Sequence, residues 1–446
     1  MPVSSARAAA FDILLRVERE SSYASELLHS SANRELSSAD HALATELVMG
    51  VLRWRSLLDD KISGASLQPL GKLDLEVLIA LRLSLYQLGW LTRVPQRAVL
   101  HEGVELVKRA RKRSASPFVN AVLRKLSKSP LCPSASPGVS ASVDLISSSC
   151  AHPAWLVERW TRTYGLERAR QICEYNQSIP RTTLRLRTPA AEEALAAEGI
   201  DLVPGDLLAS ARRVVSGNVT KTKSLGRALA VIQDEGSQLI AALIDPGQGQ
   251  ILDCCAAPGG KALAIADQNP NAAITAVEIH FHRARRMQKL FPRDCRQIRI
   301  LTADARHLPF TRAFDRILAD VPCSGTGTLA RNPEIKWHLQ PADLSELHQR
   351  QLAILRSALA HLKPGARVIY STCSLEKEEN EEVVEEALRA DSNVHLLDSK
   401  IELHRLKNAG ILIWPDPASL TSGPYLRTIP GVHPSDGFFA AIIERS

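Results

Sequence analysis

A chain of 446 residues is longer than one hydrophobic core normally serves, so two or three domains are expected and a lone small module is excluded. Apolar residues at 45% and charged residues at 23% exclude broad disorder. Lys plus Arg at 55 against Asp plus Glu at 48 gives a net charge of +7 and a pI near 9.0, which favours an acidic partner.

The opening MPVSSARAAAFDILLRVERE is broken by Asp12, Arg16 and Glu18, so it does not read as a secretory leader. The most apolar helix-like run, Val77 to Leu91, is interrupted by Arg82 and falls short of the roughly 18 uncharged residues of a membrane span. A soluble cytoplasmic protein without a membrane partner is expected. Helical spacing recurs in Phe11, Leu14 and Leu15, then Leu43, Leu47 and Val48, then Leu75, Leu78, Ile79 and Leu83, then Val99, Val104 and Val107. These predict an all-helical bundle over 1–128. Its end carries Lys108, Arg109, Arg111, Lys112, Arg113, Arg124, Lys125 and Lys128 against Glu105, a basic run suited either to phosphate contact or to a solvated helix end.

Ser127 to Ser149 holds nine Ser and three Pro and is too polar to present a periodic apolar face, so 129–149 is read as a linker. A small α+β subdomain is expected over 150–230. In it PRTTLRLRTP, Pro180 to Pro189, reads as a strand with Arg181, Thr183, Arg185 and Arg187 on one face and Thr182, Leu184 and Leu186 on the other. That strand suits arginines offered to a phosphate backbone, or an edge protected by charge.

From 231 to 446, β-branched runs alternate with amphipathic helices. The predicted strands are Gln250–Cys254, Ala273–Glu278, Ile298–Thr302, Phe314–Asp320, Ala366–Ser371 and Phe438–Glu444. This alternation implies a mostly parallel α/β sheet covered on both faces, whose ligands gather beyond the carboxyl ends of the strands. The first strand runs into Asp253-Cys254-Cys255-Ala256-Ala257-Pro258-Gly259-Gly260-Lys261. This is neither G-x-G-x-x-G nor a P-loop, because Cys255 stands at the first Gly position of the latter and Ala262 replaces its hydroxyl residue. A dinucleotide dehydrogenase is thereby disfavoured. Glu278 ends the second strand, where a carboxylate accepts from ribose hydroxyls, and Asp304 follows the third, suited to an adenine amino group. Together they predict an adenosine site without a phosphate cradle.

The eight cysteines, Cys132, Cys150, Cys173, Cys254, Cys255, Cys295, Cys323 and Cys373, include no C-x-x-C pair and suggest neither a disulfide framework nor a metal site. Two of them follow strand ends: Cys323 in Asp320-Val321-Pro322-Cys323-Ser324-Gly325-Thr326-Gly327, and Cys373 in Tyr370-Ser371-Thr372-Cys373-Ser374. Paired thiols beside an aspartate suggest covalent chemistry.

The motifs QDEGSQ (233–238), DCCAAPGGK (253–261), DVPCSGTG (320–327), STCSLEKEEN (371–380) and HPSDGFFAAIIE (433–444) resemble those of the RNA 5-methylcytosine methyltransferases of the Sun family. The helical region before the linker resembles the RNA-binding antitermination factor NusB, an arrangement pointing to the branch that modifies bacterial 16S ribosomal RNA. The resemblance implies a NusB-like RNA-binding domain over 1–128, a small α+β RNA-binding subdomain over 150–230 and a Rossmann-like S-adenosylmethionine-dependent methyltransferase domain over 231–446. It implies methyl transfer from S-adenosylmethionine to cytosine C5, with no metal. Cys373 would be the nucleophile toward C6, Cys323 would assist breakdown of the adduct, Asp320 would serve N3, and Lys261 would orient these groups and favour thiolate.

The donor would lie against Cys255, Ala256, Ala257, Pro258, Gly259, Gly260, Lys261, Glu278, Asp304 and Asp320. The partner would be 16S rRNA, free or in a partly assembled small subunit, and a monomer is expected. DNA cytosine methyltransferases use the Pro-Cys thiol as nucleophile, so the opposite assignment for Cys323 stays open. A tRNA cytosine-C5 methyltransferase and a non-catalytic RNA-binding assembly factor are the competing functions. Where many family members have two adjacent basic residues, this chain has Ala330 then Arg331, and nearby Trp337 suits either base stacking or a core.

Overall fold

A computed structural model describes residues 3–30, 36–128, 131, 142–244, 249–292 and 295–446. Most of the Ser/Pro-rich stretch, Cys132 included, lies outside the described residues. The chain forms two compact units: Met1–Ile179 with Leu329–His338, and Pro180–Thr328 with Leu339–Ser446.

The first unit is helical, with helices Ser5–Glu20, Ala24–Leu28, Ser38–Ala65, Leu75–Trp90, Gln96–Arg109 and Ser116–Leu126. Its core gathers Phe11, Leu14, Leu47, Leu52, Ile62, Leu81, Leu83, Leu106 and Leu123, each at most 1% exposed. In Gln96–Arg109 the buried set Val99, Gly103, Leu106 and Val107 follows the helical repeat. Arg82 in the apolar run is buried too, because Asp59 accepts two hydrogen bonds of 2.7 Å from its guanidinium and Glu18 a third of 3.0 Å. Helices Val143–Ser149, Ala154–Tyr164 and Leu166–Gln177 follow. The first lies in the stretch read as a linker; Ser142 caps it by accepting from the Leu145 amide, and Ile146 is its buried residue.

The basic run is partly neutralised within the unit. Lys108 pairs with Glu105 at 2.7 Å, Arg109 with Asp12 at 2.6 Å and Lys112 with Asp74 at 3.1 Å. An open groove of about 870 Å³ lies beside it, lined by Arg97, His101, Lys108, Asn120 and Arg124 among others.

Leu329–His338 completes this unit from far along the chain. Arg53 donates to the Ala330 carbonyl at 3.0 Å, and Lys336 Nζ donates back to the Arg53 carbonyl at 3.0 Å. The Ala24 amide, at a helix N-terminus, donates to Glu334 at 2.9 Å, and the Trp337 indole donates to the Leu52 carbonyl at 2.6 Å. Half-buried Trp337, with the Arg55 guanidinium 5.5 Å from its ring centroid, thus packs within this unit. Ala330 is buried, so its position presents no cation to solvent.

The second unit holds two sheets. Strands β1 Thr183–Leu186, β2 Asp201–Pro204, β3 Ala211–Ser216 and β4 Ala230–Ile232 pair antiparallel in the order β2-β3-β1-β4. β1 is an interior strand, which corrects its reading as a charge-protected edge. Nor does it offer free arginines: Arg185 is 5% exposed, and Arg185 and Arg187 both pair with Asp267 at 2.7 Å. A single acid, 82 residues from Arg185, holds both guanidiniums.

The large sheet has β5 Gln250–Asp253, β6 Ala273–Glu278, β7 Ile298–Thr302, β8 Phe314–Asp320, β9 Leu362–Thr372, β10 Val394–Leu397, β11 Thr421–Ser422, β12 Tyr425–Thr428 and β13 Phe438–Arg445. Its order is β11-β12-β13-β9-β8-β5-β6-β7, with β10 also on β13. β5 to β9 are parallel, while β13 runs antiparallel to β9, β12 and β10. Alternation fills both faces: Leu252, Ile317 and Val368 belong to one core, Ile251, Leu318 and Ile369 to the other.

Candidate active site

The parallel strands β6, β5, β8 and β9 end side by side, which gathers the predicted residues along one rim of the second unit. Asp320 and Ser371 are direct register partners on β8 and β9, and the Val321 amide donates to the Ser371 carbonyl at 3.0 Å. The Pro-Cys and Thr-Cys loops therefore leave adjacent strands at the same level. Their sulfurs, Cys323 Sγ and Cys373 Sγ, are 3.3 Å apart, and both residues are partly exposed.

Lys261 Nζ donates to Asp320 Oδ2 at 2.7 Å, and Ser371 Oγ donates to Asp320 Oδ1 at 2.7 Å. Burial disfavours the Lys261 ammonium, but the charge and hydrogen bond of Asp320, helped by Cys373 and Asp253, raise its pKa. Lys261 is thus a held cation whose field reaches Cys373. The Cys323 thiol is pushed well above the ordinary thiol range, first by its hydrogen bond with Cys373 and then by burial.

Glycine is required where the two motif loops approach other backbone. Gly327 donates to the Cys373 carbonyl at 2.9 Å, and Gly437 donates to the Gly327 carbonyl at 2.8 Å. A Cβ on Gly327 would stand 2.3 Å from the Gly437 oxygen and 2.8 Å from the Cys373 oxygen. Gly259 has φ +108°, and a Cβ there would meet Met287 at 2.7 Å. The Gly259 carbonyl receives the first turn of helix Gly260–Gln268, which carries Lys261.

The acidic residues occupy neighbouring strand ends. Asp253, 1% exposed, keeps an oxygen, Oδ2, without a hydrogen-bond partner, and burial together with the Asp320 charge pushes its pKa up to about 7. Glu278 is buried and accepts from the His280 amide at 2.9 Å. The Ala303 amide donates to the Glu278 carbonyl at 3.2 Å, which puts Asp304 one residue beyond that strand end. Asp304 accepts from Arg306 through both oxygens, at 2.6 to 3.1 Å, and this partner lowers its pKa.

Of the loop residues, Ala256 is buried, Cys255 is partly exposed with its thiol raised by burial, and Ala257, Pro258 and Gly260 complete the turn into the helix. The QDEGSQ motif is a structural latch. Glu235 accepts from the amides of Asp206, Leu207 and Leu208 at 2.7 to 3.0 Å, and Asp234 accepts from Asp436 of the last motif at 3.3 Å.

Three features of the site escape sequence reasoning. Ser371 holds Asp320, Asp253 carries the unsatisfied oxygen, and the fully buried Glu379 accepts from both cysteine loops. All three lie within the sequence motifs, the first two near predicted site residues. Glu379 stands in the acidic run EKEEN, whose charge density suggests solvent.

Comparison with known proteins agrees with this layout. Residues 241–444 match the family described as 16S rRNA methyltransferase RsmB/F, residues 152–217 its ferredoxin-like domain, and residues 4–128 the NusB family. A probable ribosomal RNA small subunit methyltransferase B from Bacillus subtilis is 36% identical over 396 residues, covering 86% of this chain and 88% of that protein. The crystal structure of PH0851 superposes with a TM-score of 0.80 at 22% identity, covering 99% and 98% of the two chains. A methyltransferase homolog protein from Pyrococcus horikoshii superposes with a TM-score of 0.55 at 25% identity, over 69% of this chain and all of that one. With a NusB domain, a ferredoxin-like domain and a Rossmann-like methyltransferase domain in that order, and a relative this similar over most of its length, the chain belongs to the RsmB/F family of 16S rRNA methyltransferases.

Proposed function

We propose that this protein methylates C5 of a specific cytosine in 16S rRNA, using S-adenosylmethionine and a transient covalent bond between Cys373 and C6. The observation that carries the reading is the 3.3 Å approach of Cys323 to Cys373 beside the Lys261–Asp320 pair. Cytosine C5 is a poor nucleophile on its own. Addition of the Cys373 thiolate to C6 breaks the C5–C6 double bond and turns the ring into an enamine whose C5 is electron-rich. The proton leaving the Cys373 thiol passes to Asp320, which in its protonated form hydrogen-bonds or protonates N3 as negative charge develops there, and the Lys261 ammonium favours the thiolate. When bound, S-adenosylmethionine supplies the electrophilic methyl group.

N3 then returns its proton to Asp320, and loss of the C5 proton to water restores the double bond and expels Cys373, whose departing sulfur takes a proton from the Cys323 thiol, so that Cys323 assists that breakdown. A free thiol is only a few per cent ionised at neutral pH, so the neighbouring cation matters for the nucleophile. The raised pKa of Cys323 suits a thiol that begins protonated.

The residues present fit the methyl donor. It carries an adenosine and an amino acid but no phosphate, and the loop 255–261 lacks a phosphate cradle. Glu278 and Asp304 suit the nucleoside. The unsatisfied Asp253 oxygen marks a buried place for a hydrogen-bond donor. Cys255, Ala256, Ala257, Pro258, Gly259, Gly260, Lys261 and Asp320 would line the remainder. No metal is required by this chemistry.

RNA contact is assigned to 1–128 and 150–230 and transfer to 231–446, with 129–149 as connection. The groove lined by Arg97, His101, Lys108, Asn120 and Arg124 supports phosphate contact by the helical unit. The enzyme acts in the cytoplasm as a monomer, on free 16S rRNA or a partly assembled small subunit. Bisulfite mapping of 16S and transfer RNA from cells with and without the protein tests the reading. One 16S cytosine should lose its methyl group. Loss only in transfer RNA would move the substrate, and no loss in either would leave an RNA-binding assembly factor.

A further inference from the structure

Glu379 is fully buried, 0% exposed, in the short turn Lys377–Glu379 after the Thr-Cys loop. Its carboxylate takes four hydrogen bonds. Oε1 accepts from the Ser324 amide at 2.7 Å and from Gln351 Nε2 at 2.8 Å, while Oε2 accepts from the hydroxyls of Ser324 and Ser374. The two hydroxyls are themselves 3.0 Å apart. Ser324 immediately follows Cys323, and Ser374 immediately follows Cys373. Gln351 extends the arrangement by donating to the Pro322 carbonyl at 3.0 Å, on the other side of Cys323.

A carboxylate shut away from water is costly unless its lone pairs are filled, and here four neutral donors fill them. The Ser324 amide and the Gln351 amide nitrogen only donate, so Oε1 has to accept, whereas the two hydroxyls both donate and accept; a glutamine with its N–H groups toward them keeps all four links and removes only the charge. We propose that Glu379 is a positioning residue that clamps the Pro-Cys and Thr-Cys loops together and so sets the distance between the two thiols. The proposal rests on the reading that both thiols serve one reaction.

The clamp has a second consequence. The negative charge of Glu379 adds to the larger effects of Cys373 and burial in disfavouring the Cys323 thiolate. One carboxylate therefore holds Cys323 close to Cys373 and also helps keep it protonated.

The test uses the full chain without RNA. Dibromobimane, which bridges thiols only a few ångström apart, is applied to wild type, Glu379→Ala and the double variant Ser324→Ala/Ser374→Ala, and the Cys323–Cys373 bridge is quantified by peptide mass. Wild type should bridge efficiently, and both variants should bridge at least about tenfold more slowly, since ångström-scale misplacement costs up to about 100-fold in a proximity-driven reaction. In methyl transfer kcat should fall while KM for RNA stays within about twofold, and Glu379→Asp, which keeps the charge, should recover part of the loss.

The pH profile of Glu379→Gln should show the Cys323 limb moved to lower pH. Wild-type bridging rates in a folded Glu379→Ala protein overturn the clamp. Should that variant fail to fold, wild-type bridging in the double serine variant overturns it equally. Efficient bridging by a wild-type protein that transfers no methyl group would overturn the proposed reaction and leave the clamp standing.

Discussion

Cys323 and Cys373, 50 residues apart in the chain, bring their sulfur atoms within 3.3 Å of each other. The closeness follows from parallel pairing of β8 with β9, in which Asp320 faces Ser371 and each cysteine lies a short step beyond its strand.

Replacing each thiol separates their roles. Cys373→Ala should abolish the covalent RNA complex seen on a denaturing gel. Cys323→Ala should accumulate it, because the adduct forms and is not resolved. The reverse pattern would transfer the nucleophile to Cys323.

Glu278 is buried at a strand end and engaged by a backbone amide. Glu278→Ala should weaken methyl-donor binding by about 1.5–3 kcal/mol, the range for a hydrogen bond to a charged group, with RNA affinity little changed. Calorimetry with each ligand measures this, and equal loss of both counts against the assignment.

Gly327 has backbone oxygens on the two sides where a side chain would stand. Gly327→Ala should cost about 1–3 kcal/mol of stability by overpacking and lower kcat by up to about 100-fold through displacement of the Cys373 loop. Donor binding should survive, because the donor loop belongs to β5. Thermal melts and single-turnover rates would show whether the two effects part in this way.

Lys336 is 1% exposed, and burial pushes its pKa down from 10.5 to about 7. Between those values the unfolded chain holds the extra proton, so this residue makes stability fall as pH drops from 10.5 toward 7, with the full cost present below. Lys336→Met should therefore stabilise the protein at pH 6 by up to about 5 kcal/mol, less about 1 kcal/mol for the lost hydrogen bond to the Arg53 carbonyl. Near pH 10.5 the gain should vanish or reverse. Chemical denaturation at both pH values checks the sign.

Much of the catalytic unit is legible in its sequence because buried parallel strands are written as β-branched runs, and the residues that end them are the ones brought together. Observed β6, β7 and β8 coincide with their predicted bounds. What stays hidden depends on partners far away in the chain. The alternation of Arg185 and Arg187 shows a basic face but not that Asp267 would hold both side chains. The acidic run around Glu379 looks like solvated surface until Ser324 and Gln351 arrive from two other segments and join nearby Ser374. Short β10 and β12, pairing along β13, carry too few residues for their alternation to stand out.

The excursion of Leu329–His338 into the helical unit imposes an order on biosynthesis. Three of its anchors, the Ala24 amide and the carbonyls of Leu52 and Arg53, leave the ribosome nearly three hundred residues before Glu334, Lys336 and Trp337 do. Until then the nascent bundle is missing a piece that only later translation delivers. A fragment ending at the Ser/Pro-rich stretch would keep that vacancy permanently, and the maturation of the amino-terminal half is thereby tied to synthesis of the half that carries the chemistry.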